Sequence, residues 1–491
     1  MAQRLRLGIG QFNPRLGAVE ANLSRLLTAH LRAREVGCDL LMVSELYLCG
    51  YPPEDLILQE GFVAKLAAAT RQIQAAVEER GGAILVGLPL VLNQDGPGSA
   101  PWPGCVNPPE HQPATRARVV INGAALFAAH QPVQIVAKSS LPNYGVFDEP
   151  RIFCPGGLPR PLSLAGRSLG VMICEDMWQP DAAQRLAEAG CDLLLVLNGS
   201  PHEYGKGRQR LALARQRVTE TGRDLLYVNQ WGGQDELVFD GGSFFHPTAG
   251  EPMPLAPVFA DGLAVFDWSP GHCDSPITLT GAAASPAILA DDLGLDYRAI
   301  VVGLRDYALK NGFSRLTLGL SGGVDSALVA ALAVDAVGAA NLGAVMMPSP
   351  YTSAASLRDA EEVAARLGVE LQTVDILAMM RTMADGLAPH QPTEARDFGT
   401  AIAGVTGENL QSRIRGMILM TLSNGDGSLV LTTGNKSELA TGYSTLYGDS
   451  CGAFAPLRDV YKTRVFALGT GATAILIRRF AASRGRSYPA R

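Results

Sequence analysis

Residues 314–338 read SRLTLGL, SGGVDS and ALVAALAVDAVG: an apolar strand run, a tight turn of small polar residues and an apolar helical run. This order constrains the fold more than any other stretch. A strand that passes through a short loop into a helix is returned for a second, parallel strand, and such units build layered α/β sheets. The helical run LDYRAIVVGLRDYALKNG (295–312) precedes it, and a strand AVMMP (344–348) and a helix SAASLRDAEEVAARLG (353–368) follow. A doubly wound parallel sheet, Rossmann-like in order, is expected over 296–491.

The first half has a similar rhythm. RLRLGIGQ (4–11), CDLLMVSE (38–45), AILVGLPLVL (83–92), RSLGVMIC (167–174), CDLLLVLN (191–198) and DLLYVNQ (224–230) read as strands. Amphipathic helices such as ANLSRLLTAHLRAREVG (21–37) separate them. The small, turn-forming residues of SPGHCDSPITLTGAAASP (269–286) mark a linker over 269–295, which leaves a first domain at 1–268. The Pro/Gly-rich stretch 93–116 reads as a surface loop.

A length of 491 residues suits two domains. The formal net charge of −6 excludes a broad basic face for nucleic acid. No apolar run approaches a membrane span, and the first residues lack a signal-peptide core. The eight cysteines are scattered singly, with no CxxC pair and no zinc-ligand spacing. The expectation is a cytoplasmic protein with free thiols, no membrane partner and no organic prosthetic group.

The turn Ser321-Gly322-Gly323-Val324-Asp325-Ser326 has the physics of a phosphate cradle. Its glycines allow close backbone approach, and the following helix points free N–H groups at the loop. Asp325 would repel a bare phosphate, so a magnesium ion between them is implied. The loop lacks the GK[ST] ending of a Walker A motif. It resembles the pyrophosphate loop of the N-type ATP pyrophosphatases. ENLQSRIR (408–415), LTTGNKSELATGYSTLYGD (431–449) and VYKTRVF (460–466) resemble the NAD synthetase branch of that family. The resemblance implies that Thr433 and Lys462 bind ATP and that Glu438 joins Asp325 at Mg2+. It also implies that Asn409, Glu438 and Arg413 lie at deamido-NAD. Taken alone, the Thr/Asn/Lys/Glu cluster could equally cap a helix.

Three stretches of the first half belong together: VSELYLCGYP with Glu45, AKSSLPNYGVFDE with Lys138, and VMICEDMW with Cys174. A thiolate can attack an amide carbonyl. A nearby lysine lowers the thiol pKa and stabilises the oxyanion, and a carboxylate shuttles the proton to departing ammonia. Alone, each residue reads as core or surface. In this order they resemble the Glu–Lys–Cys triad of the nitrilase superfamily, whose fold is an αββα sandwich. By resemblance to glutamine-using members, Tyr144, Ser200 and Lys206 hold glutamine, with Tyr51 and Glu175 beside them, and Glu149 orients the triad from behind.

A nitrilase-type amidase joined to this pyrophosphate loop resembles the glutamine-dependent NAD synthetases over nearly the whole chain. The implied reaction consumes glutamine, ATP and deamido-NAD, and both halves resemble families that pair subunits, which implies a homo-oligomer. The resemblance stops after VYKTRVFAL (460–468). The remaining residues hold five arginines and no acid, where family members continue with a cover over the synthetase site. This departure gives a second reading, a glutamine amidase with an impaired synthetase half.

Overall fold

The computed structural model describes residues 4–92, 105–107, 119–281, 293–390 and 404–470. Most of the expected 93–116 loop and of the unusual C-terminal stretch lies outside the described residues. The chain divides into two compact units, Met1–Asp291 and Asp292–Arg491.

The first unit begins with β1 (Leu5–Gln11), α1 (Val19–Glu35), β2 (Leu40–Val43), α2 (Glu60–Arg80) and β3 (Ala83–Leu92). It continues with β4 (Val119–Ala128), β5 (Gln134–Ala137), β6 (Leu162–Leu164), β7 (Arg167–Ile173), α3 (Pro180–Glu188), β8 (Leu193–Asn198), α4 (Lys206–Thr221) and β9 (Asp224–Asn229). Then come β10 (Trp231–Gln234), β11 (Leu237–Asp240), β12 (Phe244–His246), β13 (Met253–Pro254), β14 (Gly262–Ser269), β15 (His272–Cys273) and β16 (Ile277–Gly281). One sheet has the order β15-β14-β1-β2-β3-β4-β5, with β16 also on β14, and a second has the order β13-β12-β9-β8-β7-β6.

Side-chain alternation makes the layers. Leu169, Val171, Ile173, Leu193, Leu195 and Leu197 share one core with Leu7, Ile9 and Met42 of the other sheet. Met172, Leu194 and Val196 point the opposite way, onto Ala183, Leu186, Leu211 and Val218 of α3 and α4. Leu41, Val43, Ile84 and Val86 likewise meet Leu26, Ile73 and Val77 of α1 and α2. Strands covered on both faces must be apolar on both, so they read as continuous apolar runs. The unit is a helix–sheet–sheet–helix sandwich.

The segment expected as linker is partly sheet. β15 and β16 both pair antiparallel with β14; β15 is only two residues long, and the small, turn-forming residues around β16 drew attention from its Ile-Thr-Leu-Thr alternation.

The second unit runs α5 (Leu293–Lys310), β17 (Leu316–Gly319), α6 (Val324–Val337), β18 (Leu342–Met346), α7 (Ala354–Leu367), β19 (Leu371–Thr373), α8 (Leu377–Leu387), α9 (Gly404–Asp426), β20 (Leu429–Leu431) and α10 (Lys436–Thr441). Its strands pair in parallel in the order β19-β18-β17-β20. Leu304, Leu328, Leu332 and Ala360 cover one face, and Met380, Ile414 and Ile418 cover the other. The chain moves outward from β17 through β18 to β19, then returns to lay β20 on the other side of β17. That reversal makes the carboxyl ends of β17 and β20 the crevice where α/β sheets bind ligands.

Candidate active sites

In the first unit, the strand ends bring together the three residues expected to act. Glu45 lies two residues past β2, fully buried. Lys138 directly follows β5, and Cys174 directly follows β7. Lys138 Nζ donates to Glu45 Oε1 at 2.7 Å and to Glu149 Oε1 at 2.8 Å. Asn122 Nδ2 on β4 also donates to Glu45 Oε1, at 2.7 Å, and the Gly199 amide donates to Glu45 Oε2 at 2.9 Å. Three donors thus fix one carboxylate. The strand beside it is close enough that a Cβ on Gly87 would lie 2.4 Å from Leu46 N, so β3 passes hard against the Glu45 turn.

Burial pulls Lys138 toward neutrality, but Glu149 and Glu45 outweigh it and hold the ammonium well above its ordinary pKa. Burial pushes Glu149 up to about 7, opposed by Lys138 and aided by Glu45. Burial first, and then the charge of Glu45, push the Cys174 thiol well above its ordinary pKa, while Lys138 pulls the other way and loses. The lysine does lower the thiol pKa, as expected, but burial and Glu45 together outweigh it. With burial the largest cause and Glu45 the next, Cys174 rests as a thiol. Cys174 also sits at φ +44°, a left-handed conformation that turns the chain sharply from β7 and is held by its surroundings.

Asp176 is one of those surroundings, and the sequence reading passed over it. Its buried Oδ1 accepts the amides of Ser139 at 2.9 Å and Ser140 at 2.7 Å, and its Oδ2 accepts that of Ile173 at 3.0 Å. It clamps the loop after Lys138 to the turn of Cys174, and burial pushes its pKa up to about 6. Asp176→Asn would set an amide nitrogen against the Ile173 N–H. The expected result is a loss of about 1–3 kcal/mol in a denaturant melt, with slower glutamate release. An unchanged melt and rate would show the clamp to be dispensable.

The other amidase candidates fall into three places. Tyr51 is buried and donates to Glu149 Oε1 at 3.0 Å, so it supports Glu149. Exposed Tyr144 donates to Glu175 Oε2 at 3.0 Å. The Ser200 hydroxyl accepts from buried Arg210 Nε at 3.0 Å, and Arg210 also grips Asp240 at 2.6 and 2.8 Å. Lys206 Nζ lies 4.5 Å from the centre of the Trp178 ring and 3.4 Å from Glu203. Tyr144 and Arg210 both lie within electrostatic reach of the Cys174 sulfur, so these two places share its surroundings. Asn122 and Arg210 were missed. Asn122 had a signal, a polar residue inside the apolar run VVINGAALFA.

In the second unit, Ser321–Ser326 form the turn from β17 into α6. Ser321 Oγ and Ser326 Oγ lie 3.0 Å apart, and the Gly323 amide donates to Ser321 Oγ at 3.2 Å. Gly322 has φ +80°, and a Cβ there would lie 2.3 Å from Ser356 O. Val324 and Asp325 open α6. Asp325 Oδ1 accepts from Asn435 Nδ2 at 3.1 Å, and its Oδ2 pairs with Lys462 Nζ. Asn435 caps α10 reciprocally with Glu438: Glu438 N donates to Asn435 Oδ1 at 3.1 Å, and Asn435 N to Glu438 Oε2 at 3.1 Å. Asn435 thus joins both acids expected at the metal, and its signal was the N-x-x-E spacing of a capping box. Thr433 lies on the same loop between β20 and α10. Asn409 Oδ1 on α9 accepts from Thr445 at 2.9 Å. Arg413, one turn on, is exposed and donates to Leu446 O at 3.2 Å.

A carbon–nitrogen hydrolase family model matches residues 6–275, and an NAD synthase family model matches residues 296–475. A glutamine-dependent NAD(+) synthetase of Rhodobacter capsulatus is 42% identical over 466 residues, 95% of this chain and 78% of the relative. That of Xanthomonas campestris is 41% identical over 475 residues, with the same shares covered. A solved glutamine-dependent NAD+ synthetase from Acinetobacter baumannii, in complex with adenosine diphosphate, superposes with a TM-score of 0.81 at 35% identity, over 99% of this chain and 86% of that one. The reading of an amidase with an impaired second half finds no support here. Among the described residues no helix is long and apolar enough to cross a membrane. With an amidase-type cluster in one unit and an ATP-pyrophosphatase-type loop in the other, the chain belongs to the glutamine-dependent NAD(+) synthetases, ligases that free ammonia from glutamine and use ATP to turn deamido-NAD into NAD.

Proposed function

We propose that Cys174 is the amidase nucleophile, Glu45 its base and Lys138 the cation that steadies both. The carrying observation is the Lys138 ammonium held 2.7 Å from Glu45 and 2.8 Å from Glu149, in the electrostatic surroundings of Cys174. Glu45 takes the thiol proton as sulfur attacks the glutamine amide, and passes it to the departing ammonia. Water then opens the thioester to give glutamate. Glu149, braced by Tyr51, keeps Lys138 charged. Tyr144, Glu175, Ser200 and Lys206 form the glutamine pocket.

In the second unit, the Ser321–Ser326 amides and hydroxyls cradle pyrophosphate, while Thr433 and Lys462 contact ATP. Asn409, Glu438 and Arg413 face deamido-NAD. Asp325 and Glu438 meet at Asn435, and two carboxylates completed by phosphate oxygens suit Mg2+. Such an ion would offset the phosphate charge. A homo-oligomer working in the cytoplasm fits the families that the two halves resemble.

The test is to incubate the chain with deamido-NAD, ATP, Mg2+ and either glutamine or ammonium, following NAD and glutamate separately. NAD is expected from both nitrogen donors. Glutamate without NAD would overturn the synthetase assignment.

A further inference from the structure

We infer that Arg415 binds the phosphoryl group that the synthetase transfers, the α-phosphate of ATP and then of the acyl-adenylate; this rests on the synthetase reading above. Arg415 lies on α9 between residues that pack on the sheet and residues at its rim, and Ile414, Ile418 and Leu419 anchor the helix on Val345, Met347 and Val430. Its Nε donates to Met347 O at 3.1 Å. A guanidinium has five N–H donors, so most of this one's capacity is unused. Among the described residues no carboxylate pairs with it.

This sets Arg415 apart from three arginines that carry a counter-charge. Arg210 holds Asp240, Arg6 holds Asp267, and Arg464 pairs with Asp296. Arg413, its neighbour on the helix, is exposed. Arg415 is half-buried, and desolvation alone pulls its pKa below the usual guanidinium value. A cation taken partly out of water without a counter-charge is costly, and an anionic ligand removes that cost.

The position selects the ligand. Leu320 N donates to Val345 O at 2.9 Å, so Met347 stands two residues beyond the last rung joining β17 and β18. That is level with the start of the phosphate loop on the neighbouring strand, about 5 Å away by strand spacing. A Cβ on Gly319 would lie 3.1 Å from Met347 Cε, which confirms the closeness. The loop amides and the α6 terminus serve the pyrophosphate, and Lys462 stands beside them, at Asp325 on the first turn of α6. The phosphate next to the pyrophosphate then falls to Arg415, whose planar fork fits two oxygens of one phosphoryl group.

The reaction gives this contact work in both steps. A carboxylate oxygen of deamido-NAD forms a bond to the α-phosphorus while the bond to the bridging oxygen breaks, and pyrophosphate leaves with the electron pair. Ammonia then bonds to the acyl carbon, AMP leaves with the electrons of the C–O bond, and one proton is released. The α-phosphoryl oxygens carry negative charge throughout.

Isotope exchange between pyrophosphate and ATP, with deamido-NAD and Mg2+ but no nitrogen donor, reads the first step alone. Exchange by the unmodified enzyme checks the synthetase reading itself, and its absence would sink that reading rather than this one. In Arg415→Gln the exchange rate is expected to fall on the order of 100-fold with an unaltered melting temperature. Arg415→Lys, which keeps the charge but not the fork, is expected to fall between the two. Normal exchange in folded Arg415→Gln overturns the inference. Should that variant fail to fold, normal exchange in Arg415→Lys overturns it, and a lowered rate supports it.

Discussion

Cys174→Ala is expected to lose glutamine-supported NAD formation by about 10⁴-fold or more while keeping ammonium-supported formation. The size follows from the chemistry, because no other atom in the cluster can form the acyl intermediate. Lys138 is held as ammonium between two carboxylates, and its lone pair is not available. The substitution also spares the fold. Alanine bears the φ of +44° about as well as cysteine does, and it removes a single sulfur from a side chain only 7% exposed. Glu45 keeps Lys138, Asn122 and the Gly199 amide as partners. Separate assays with glutamine and with ammonium decide the matter. Persistent glutamine use would remove Cys174 from the nucleophile's place, and loss of ammonium use as well would mean that the damage had spread beyond the amidase.

Gly322→Ala is expected to do the converse, lowering NAD formation from either donor by on the order of 100-fold. The new methyl group would meet Ser356 O at 2.3 Å in a backbone conformation that disfavours side chains. Relief requires the loop to move, and the Gly323 amide and Ser321 hydroxyl move with it. A shift of about 1 Å in groups that position a reacting phosphate is enough for such a loss. Glutamate release without ATP should continue, since the amidase cluster lies wholly in the other unit. Near-normal ammonium-supported synthesis would show that the cradle is not the nucleotide site.

The sequence carried the layers well because the strands are apolar on both faces and glycines or loops punctuate them. It carried Glu45, Lys138 and Cys174 because each sits within a residue or two of a strand end, where short motifs are dense. It carried less of what surrounds them. Asp176 acts through three backbone amides, two of them 37 and 36 residues away and one in its own turn, and backbone amides leave no mark in a sequence. Arg210 reaches Ser200 and Asp240 only once α4 is packed. The lysine's downward pull on the Cys174 thiol was legible, but the burial and the nearby Glu45 that outweigh it appear only in the folded chain. The edge strand β15 escaped because two residues carry no periodicity, whereas the Ile-Thr-Leu-Thr alternation of β16 was legible and was overlooked beside the small, turn-forming residues around it.

Asp325 is tied to Asn435 and Lys462, which lie 110 and 137 residues further along the chain. The proposed nucleotide site is therefore a feature of high contact order, and closing loops of that length precedes any reward from the contacts they make. As the chain leaves the ribosome, the phosphate loop, α6 and β18 are synthesised long before β20 and the helix starting at Lys462. Until those arrive, Asp325 faces the crevice without its cation. The second unit thus becomes competent for nucleotide late in synthesis, whereas every residue of the amidase cluster has already been made.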